Sequence, residues 1–148
     1  MHLHGHFFRV VNGQGDYSPL KHTKTLASEV ASMRRRLEEG AEKGDLKRGL
    51  GGIMDIEFIV QYLQLIHGPA FPPLRHANTE QGLKALMKFK KLSATDGAAL
   101  LNAYEFLRRM ENRVRIVHGL SAHNLPHKEG ALRKLALRAG YGDDDNGK

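Results

Sequence analysis

The sequence has 148 residues, 41% of them hydrophobic and 26% charged, which fits one globular domain or a domain with an arm. It contains no cysteine, and that excludes a disulfide framework, a thiolate zinc site and a cysteine nucleophile. The 23 lysines and arginines outnumber the 16 aspartates and glutamates, giving a formal charge of +7 that suits an acidic protein, nucleic acid or anionic lipid. Tryptophan is absent and no docking motif of a nucleic-acid reader occurs, so nucleic acid is not the expected partner. No apolar run approaches the roughly 20 residues that span a bilayer, and the N-terminus does not read as a signal peptide. A cytoplasmic protein without membrane contact is expected.

Along the chain, the character changes near residue 24. Residues 1–23 read as an extended, histidine-rich arm, with Phe7, Phe8, Val10 and Val11 suited to a strand and Asn12-Gly13 opening a turn-rich stretch. Leu26, Val30, Met33 and Leu37 then fall on one face of an amphipathic helix. Gly49, Gly51 and Gly52 read as a flexible loop before an apolar segment from Ile53 to Ile66, closed by Gly68-Pro69. Ile56, Phe58, Ile59, Val60 and Leu63 cover more than one face of that segment, so it should be the buried central helix. Pro72 and Pro73 mark a connecting loop, and Asn78 or Thr79 should cap a helix that turns Leu83, Leu86 and Met87 inward. Ser93 with Asp96 is a capping-box variant that opens the longest helix, which runs to about His118. Its inward stripe is Leu100, Tyr104, Leu107, Met110, Val114 and Val117, and Gly119 is its stop. A last helix carries Leu132, Leu135 and Ala139 and should end on Gly140 as its C-cap. The expected architecture is all-α: an antiparallel bundle of about five helices over 24–142, an extended arm over 1–23 and a frayed tail over 143–148.

Two segments carry chemistry. In the leader, His2, His4 and His6 would share one face of a strand and could converge on a metal. The run Met1-His2-Leu3-His4-Gly5-His6-Phe7-Phe8-Arg9-Val10-Val11 resembles a histidine-rich copper motif of multicopper oxidases, with similarity continuing to His22. That resemblance implies copper binding at His2 and His4. The cysteine of the blue copper and the upstream histidine pairs of that family are missing, so a trinuclear cluster cannot assemble from this chain. What remains is weak, pH-sensitive binding of adventitious copper, nickel or zinc, with no cofactor required.

The second segment is Lys47-Arg48-Gly49-Leu50-Gly51-Gly52-Ile53-Met54-Asp55-Ile56-Glu57-Phe58. A basic, glycine-rich loop running into a helix N-terminus favours an anion, which makes Lys47, Arg48, Gly51 and Gly52 candidate anion- or partner-binding residues. It matches neither the P-loop nor the dinucleotide fingerprint. Asp55 fits a helix start. Glu57 sits among apolar neighbours and, if buried, needs a cationic partner, so it is a candidate structural ion pair.

The stretch from Asp45 to Gln61, containing Gly51-Gly52-Ile53-Met54-Asp55-Ile56-Glu57-Phe58, resembles the hallmark of glutamine synthetase adenylyltransferases. Further similarity comes from Ala103 through His118, from Leu125-Pro126 and from Leu132 to Tyr141. The resemblance covers about residues 25–142 and implies the all-helical domain that follows a nucleotidyltransferase domain, there and in the related uridylyltransferases. Leu50 and Met54 stand where that family usually has a glycine or basic residue and an arginine, which weakens an anion-binding role for the loop. The Gly-Ser loop and paired aspartates of the transferase site have no counterpart here, and Asp143-Asp144-Asp145 has no strand beneath it.

Arg108, Arg109, Arg113 and Arg115 complete the candidate partner-binding set, and His118, His123 and His127 cluster around one loop. No catalytic residue is assigned. The implied function is a non-catalytic regulatory or substrate-binding module of nitrogen metabolism, with glutamine synthetase or another acidic protein as partner. A metal-dependent activity of the histidine arm and a basic nucleic-acid-binding module stand as alternatives.

Overall fold

The computed structural model describes residues 24–119 and 122–142, so the arm with its candidate ligands His2, His4 and His6, and the tail, lie outside the described residues. Five α-helices follow in order: α1 (Lys24–Glu39), α2 (Ile53–His67), α3 (Thr79–Lys88), α4 (Ala94–His118) and α5 (Glu129–Arg138). The protein is an all-α helical bundle, and among the described residues there is no strand beyond one isolated bridge.

α2 is the hub. It packs against α1, α3 and α4, while α3 also packs on α4. Ile56 and Val60 of α2 meet Leu83, Ala85 and Leu86 of α3 in the main core, and Leu63, Leu100, Leu101 and Tyr104 close its edges. A second, smaller core joins Leu46, Met110, Val114 and Leu135. Leu107 touches both cores, so α4, about 37 Å long at 1.5 Å per residue, serves as the shared wall.

The caps follow the sequence. The Asn78 side chain accepts from the Gln81 N–H at 3.0 Å, and Ser93 Oγ accepts from the Asp96 N–H at 3.0 Å. α4 stops at Gly119.

Several expectations are corrected. Ile59 is 39% exposed and not core, because Ile56, Val60 and the polar Gln64 take the inward line of α2. Val117 and Leu132 also lie outside, since the inward face of α4 has turned away by its last turn and α5 buries Leu135 instead. Ala139 caps α5, and Gly140 follows it. The Pro72-Pro73 connection is a 3-10 turn over Pro72–Leu74 that drives Leu74 fully into the main core. The buried Gln64 amide holds that turn by donating to the carbonyls of Leu74 at 2.7 Å and His76 at 3.0 Å.

Candidate functional site

The segment between α1 and α2 is a hydrogen-bonded turn rather than a flexible loop. Gly51 takes a φ of +73°, the left-handed region where a side chain would be strained. At Gly52 a Cβ would come within 2.7, 2.8 and 2.9 Å of the carbonyl oxygens of Gly49, Lys47 and Leu46, so the backbone closes there only on glycine. The N–H groups that an anion would need at the start of α2 are already engaged. Gly52 donates to Gly49, Ile53 to Leu46 and Met54 to Lys47, at 2.9–3.0 Å.

Asp55 supplies the negative charge at this helix start. Its Oδ2 accepts from the Gly51 N–H at 2.7 Å and from Arg34 Nη2 at 2.9 Å. Arg34 also reaches Glu38 on its own helix and the Gly49 carbonyl, tying α1 to the turn. Asp45 does the same one step earlier, accepting from the backbone N–H groups of Lys47 and Arg48 and from Arg48 Nε at 3.0 Å. Burial pushes the Asp45 carboxyl up. The hydrogen bonds from Arg48 and Lys47, with the Arg48 charge, outweigh that and hold it below its ordinary 3.8. An anion held here would therefore rest on side chains rather than on the helix N-terminus.

The opposite side of this turn meets the segment after α4. Leu46 N–H donates to the His123 carbonyl and Leu125 N–H to the Gly44 carbonyl, both at 2.9 Å, around an antiparallel bridge between Asp45 and Asn124. Beneath it lies Glu111, 1% exposed, which accepts from Arg108 Nη1 at 2.7 Å and sits 2.9 Å from His123 Nδ1. A buried carboxylate thus anchors a helix and a loop at once. An open cleft of about 430 Å³ runs beside the turn, with Leu107 and Leu125 among its walls and Glu42, Lys43 and the 83% exposed Leu50 on its border.

The candidate residues separate into groups. Arg48 and Arg108 are internal ties, each paired with a buried acid. Arg109 is exposed, while Lys47, Arg113 and Arg115 are half-buried. Glu57 is half-buried on α2. Among the described residues no three potential ligands gather as a metal would need, and His123 is placed on Glu111 rather than with His118 and His127. Sequence reasoning missed the roles of Glu111 and Gln64, though a signal existed. Each occupies a helical position four residues after an inward apolar residue, Leu107 or Val60.

Fold and site together define an all-helical bundle domain held by carboxylate–cation ties on both sides of one glycine turn. The chain belongs to the GlnD PII-uridylyltransferase family, whose model matches residues 24–148. Relatives include bifunctional glutamine synthetase adenylyltransferase/adenylyl-removing enzymes. The one from Stenotrophomonas maltophilia is 42% identical over 118 residues, covering 80% of this chain and 12% of that protein. Those from Xanthomonas campestris, 40% identical over 111 residues, and Corynebacterium diphtheriae, 39% over 124 residues, cover 75% and 80% of this chain. The chain spans about an eighth of the length of these relatives. Nothing in the comparisons supports the multicopper oxidase resemblance of residues 1–23. Among the described residues no helix is long and apolar enough to cross a membrane.

Proposed function

We propose that this helical domain is a non-catalytic module that positions a nucleotidyltransferase on its protein substrate, glutamine synthetase, in the cytoplasm. The observation that carries this reading is the extent of the match. Relatives named for adenylylation and adenylyl removal on glutamine synthetase align with the helical domain at about 40% identity, over 12% of their length. The chemistry of the domain's acids agrees with a scaffolding role. Metal-assisted nucleotidyl transfer uses carboxylates free to hold a metal ion and phosphate oxygens. Here Asp45 serves Arg48, Asp55 serves Arg34 and Glu111 serves Arg108 and His123.

The test is to incubate the purified chain with labelled ATP, magnesium and glutamine synthetase, and to measure complex formation and label transfer together. A complex at low salt that weakens as screening increases, without label transfer, is expected. Label on the synthetase would overturn the non-catalytic assignment. Absence of a complex at low salt would overturn the partner.

A further inference from the structure

α5 contributes little to the core. Its N-cap, Lys128, offers no side-chain acceptor and makes no side-chain capping bond, and Leu135 is its one buried residue. Leu137 and Tyr141 are left 53% and 57% exposed. Tyr141 stands edge-on to Phe106 of α4 with ring centroids 5.6 Å apart, so an apolar strip crosses from α5 to α4. Cations frame it. Arg133 and Lys134 lie one helical turn before Leu137, Arg138 follows it, and Arg109 lies one turn beyond Phe106. Among the described residues none of these four pairs with a carboxylate. The neighbouring acid Glu105 acts elsewhere: with the hydrogen-bonded Glu80 as the larger influence, it holds Lys84 above its ordinary 10.5.

We propose that this α4–α5 face docks an acidic, amphipathic segment of a protein partner. Apolar side chains of that segment would seat on Phe106, Leu137 and Tyr141, and its carboxylates would reach Arg109, Arg133, Lys134 and Arg138. Charge complementarity selects the sign of the partner, since the cations on this face pair with no carboxylate among the described residues. The apolar strip selects its class. Phe106 and Tyr141 could stack a base as readily as a side chain, but Leu137 of the same strip gives a nucleic acid nothing to stack on or hydrogen-bond, whereas a leucine or phenylalanine on a partner helix gains by covering it. The inference goes beyond the function proposed above and does not require glutamine synthetase to be the partner.

The experiment titrates the full chain, isotopically labelled for amide spectra, with a synthetic helical peptide carrying leucines on one face and glutamates on its flanks. Comparison probes are the same peptide with serine for leucine, a single-stranded RNA and phosphatidylserine vesicles. Variants are Leu137→Ser, the pair Arg133→Glu with Arg138→Glu, and a control pair Arg35→Glu with Arg36→Glu on α1. All five positions are exposed, and dichroism checks that the fold is kept. The acidic leucine peptide should shift resonances at residues 106, 137 and 141. Each α5 variant should weaken it about tenfold, the control pair much less. Equal binding by all variants, equal binding of the serine peptide, tighter binding of RNA or vesicles, or no binding would each overturn the proposal.

Discussion

The turn before α2 and the helix α5 treat charge and apolar surface in opposite ways. At the turn, Arg34 and Arg48 each meet a carboxylate, the backbone donors are satisfied, and Leu46 and Ile53 are buried. At α5, among the described residues, Arg133, Lys134 and Arg138 meet none, the N-cap side chain makes no hydrogen bond, and Leu132 and Leu137 are exposed. Among the described residues the cations therefore fall into two populations: one ties the fold together, and the other makes no ion pair. Exposed arginines cost the fold little to keep or lose, whereas a paired arginine leaves a stranded acid when removed.

The widest gap between interior and edge is expected in the main core. Leu83 and Leu86 are fully buried at the α2–α3 contact. Leu83→Ala should lower stability by about 2–5 kcal/mol in chemical denaturation, through lost transfer energy and the cavity left behind. A loss under about 1 kcal/mol would mean that α3 can collapse onto α2 and that the core is looser than its packing indicates.

Glu111 comes next. Glu111→Ala removes the acceptor of both Arg108 and His123 and is expected to cost about 1–3 kcal/mol, less than stranding a buried charge would, because the cations left behind are partly exposed and water can solvate them. The double change Glu111→Ala with Arg108→Ala tests the coupling, because losses at coupled partners are not additive. Simple additivity would place Glu111's role in packing alone.

The turn should reveal itself in acid. Asp45 is held below its ordinary 3.8 in the folded chain, so its contribution is present above that value and is lost as pH falls through the depressed one. Stability followed from neutral pH downward should therefore drop below about pH 4, and Asp45→Asn should flatten part of that drop. An unchanged acid limb in Asp45→Asn would assign the drop to other carboxylates.

Much of the fold is legible in the sequence because helices announce themselves locally. The Ser93 and Asn78 caps, the Gly119 stop and the apolar spacing of α4 through Val114 are short-range signals, and the chain follows them. What failed was facing. A helix that is apolar on several sides, such as Ile56-Glu57-Phe58-Ile59-Val60, does not say which side its neighbours will cover, and Ile59 fell outside. The site was less legible for a related reason. Glycines beside Lys47 and Arg48 suggest an anion cradle, but the donors of that turn answer to Asp45, Asp55 and carbonyls from Leu46 to Gly49, which spacing alone does not reveal. His123 read as one of three loop histidines for the same reason, its acid partner lying 12 residues earlier across a turn.

Ile59→Ala and Leu137→Ser should have the smallest effects. Both side chains are largely outside in the isolated chain, at 39% and 53% exposure, so each change should cost no more than about 0.5–1 kcal/mol. The two positions nevertheless differ in kind. Ile59 stands on the hub helix, whose other neighbours are packed, while Leu137 stands between cations that pair with no carboxylate among the described residues, on a helix that buries Leu135 alone. Placing serine at residue 137 removes the apolar centre of a charged face without touching the core, so stability and partner binding should come apart there. Denaturation midpoints of the two variants should nearly coincide with that of the parent chain, while affinity for an acidic leucine-bearing peptide falls in Leu137→Ser and holds in Ile59→Ala. If Leu137→Ser unfolds the chain as readily as Leu83→Ala, α5 is part of the core after all, and the contrast between a closed turn and an open helix fails.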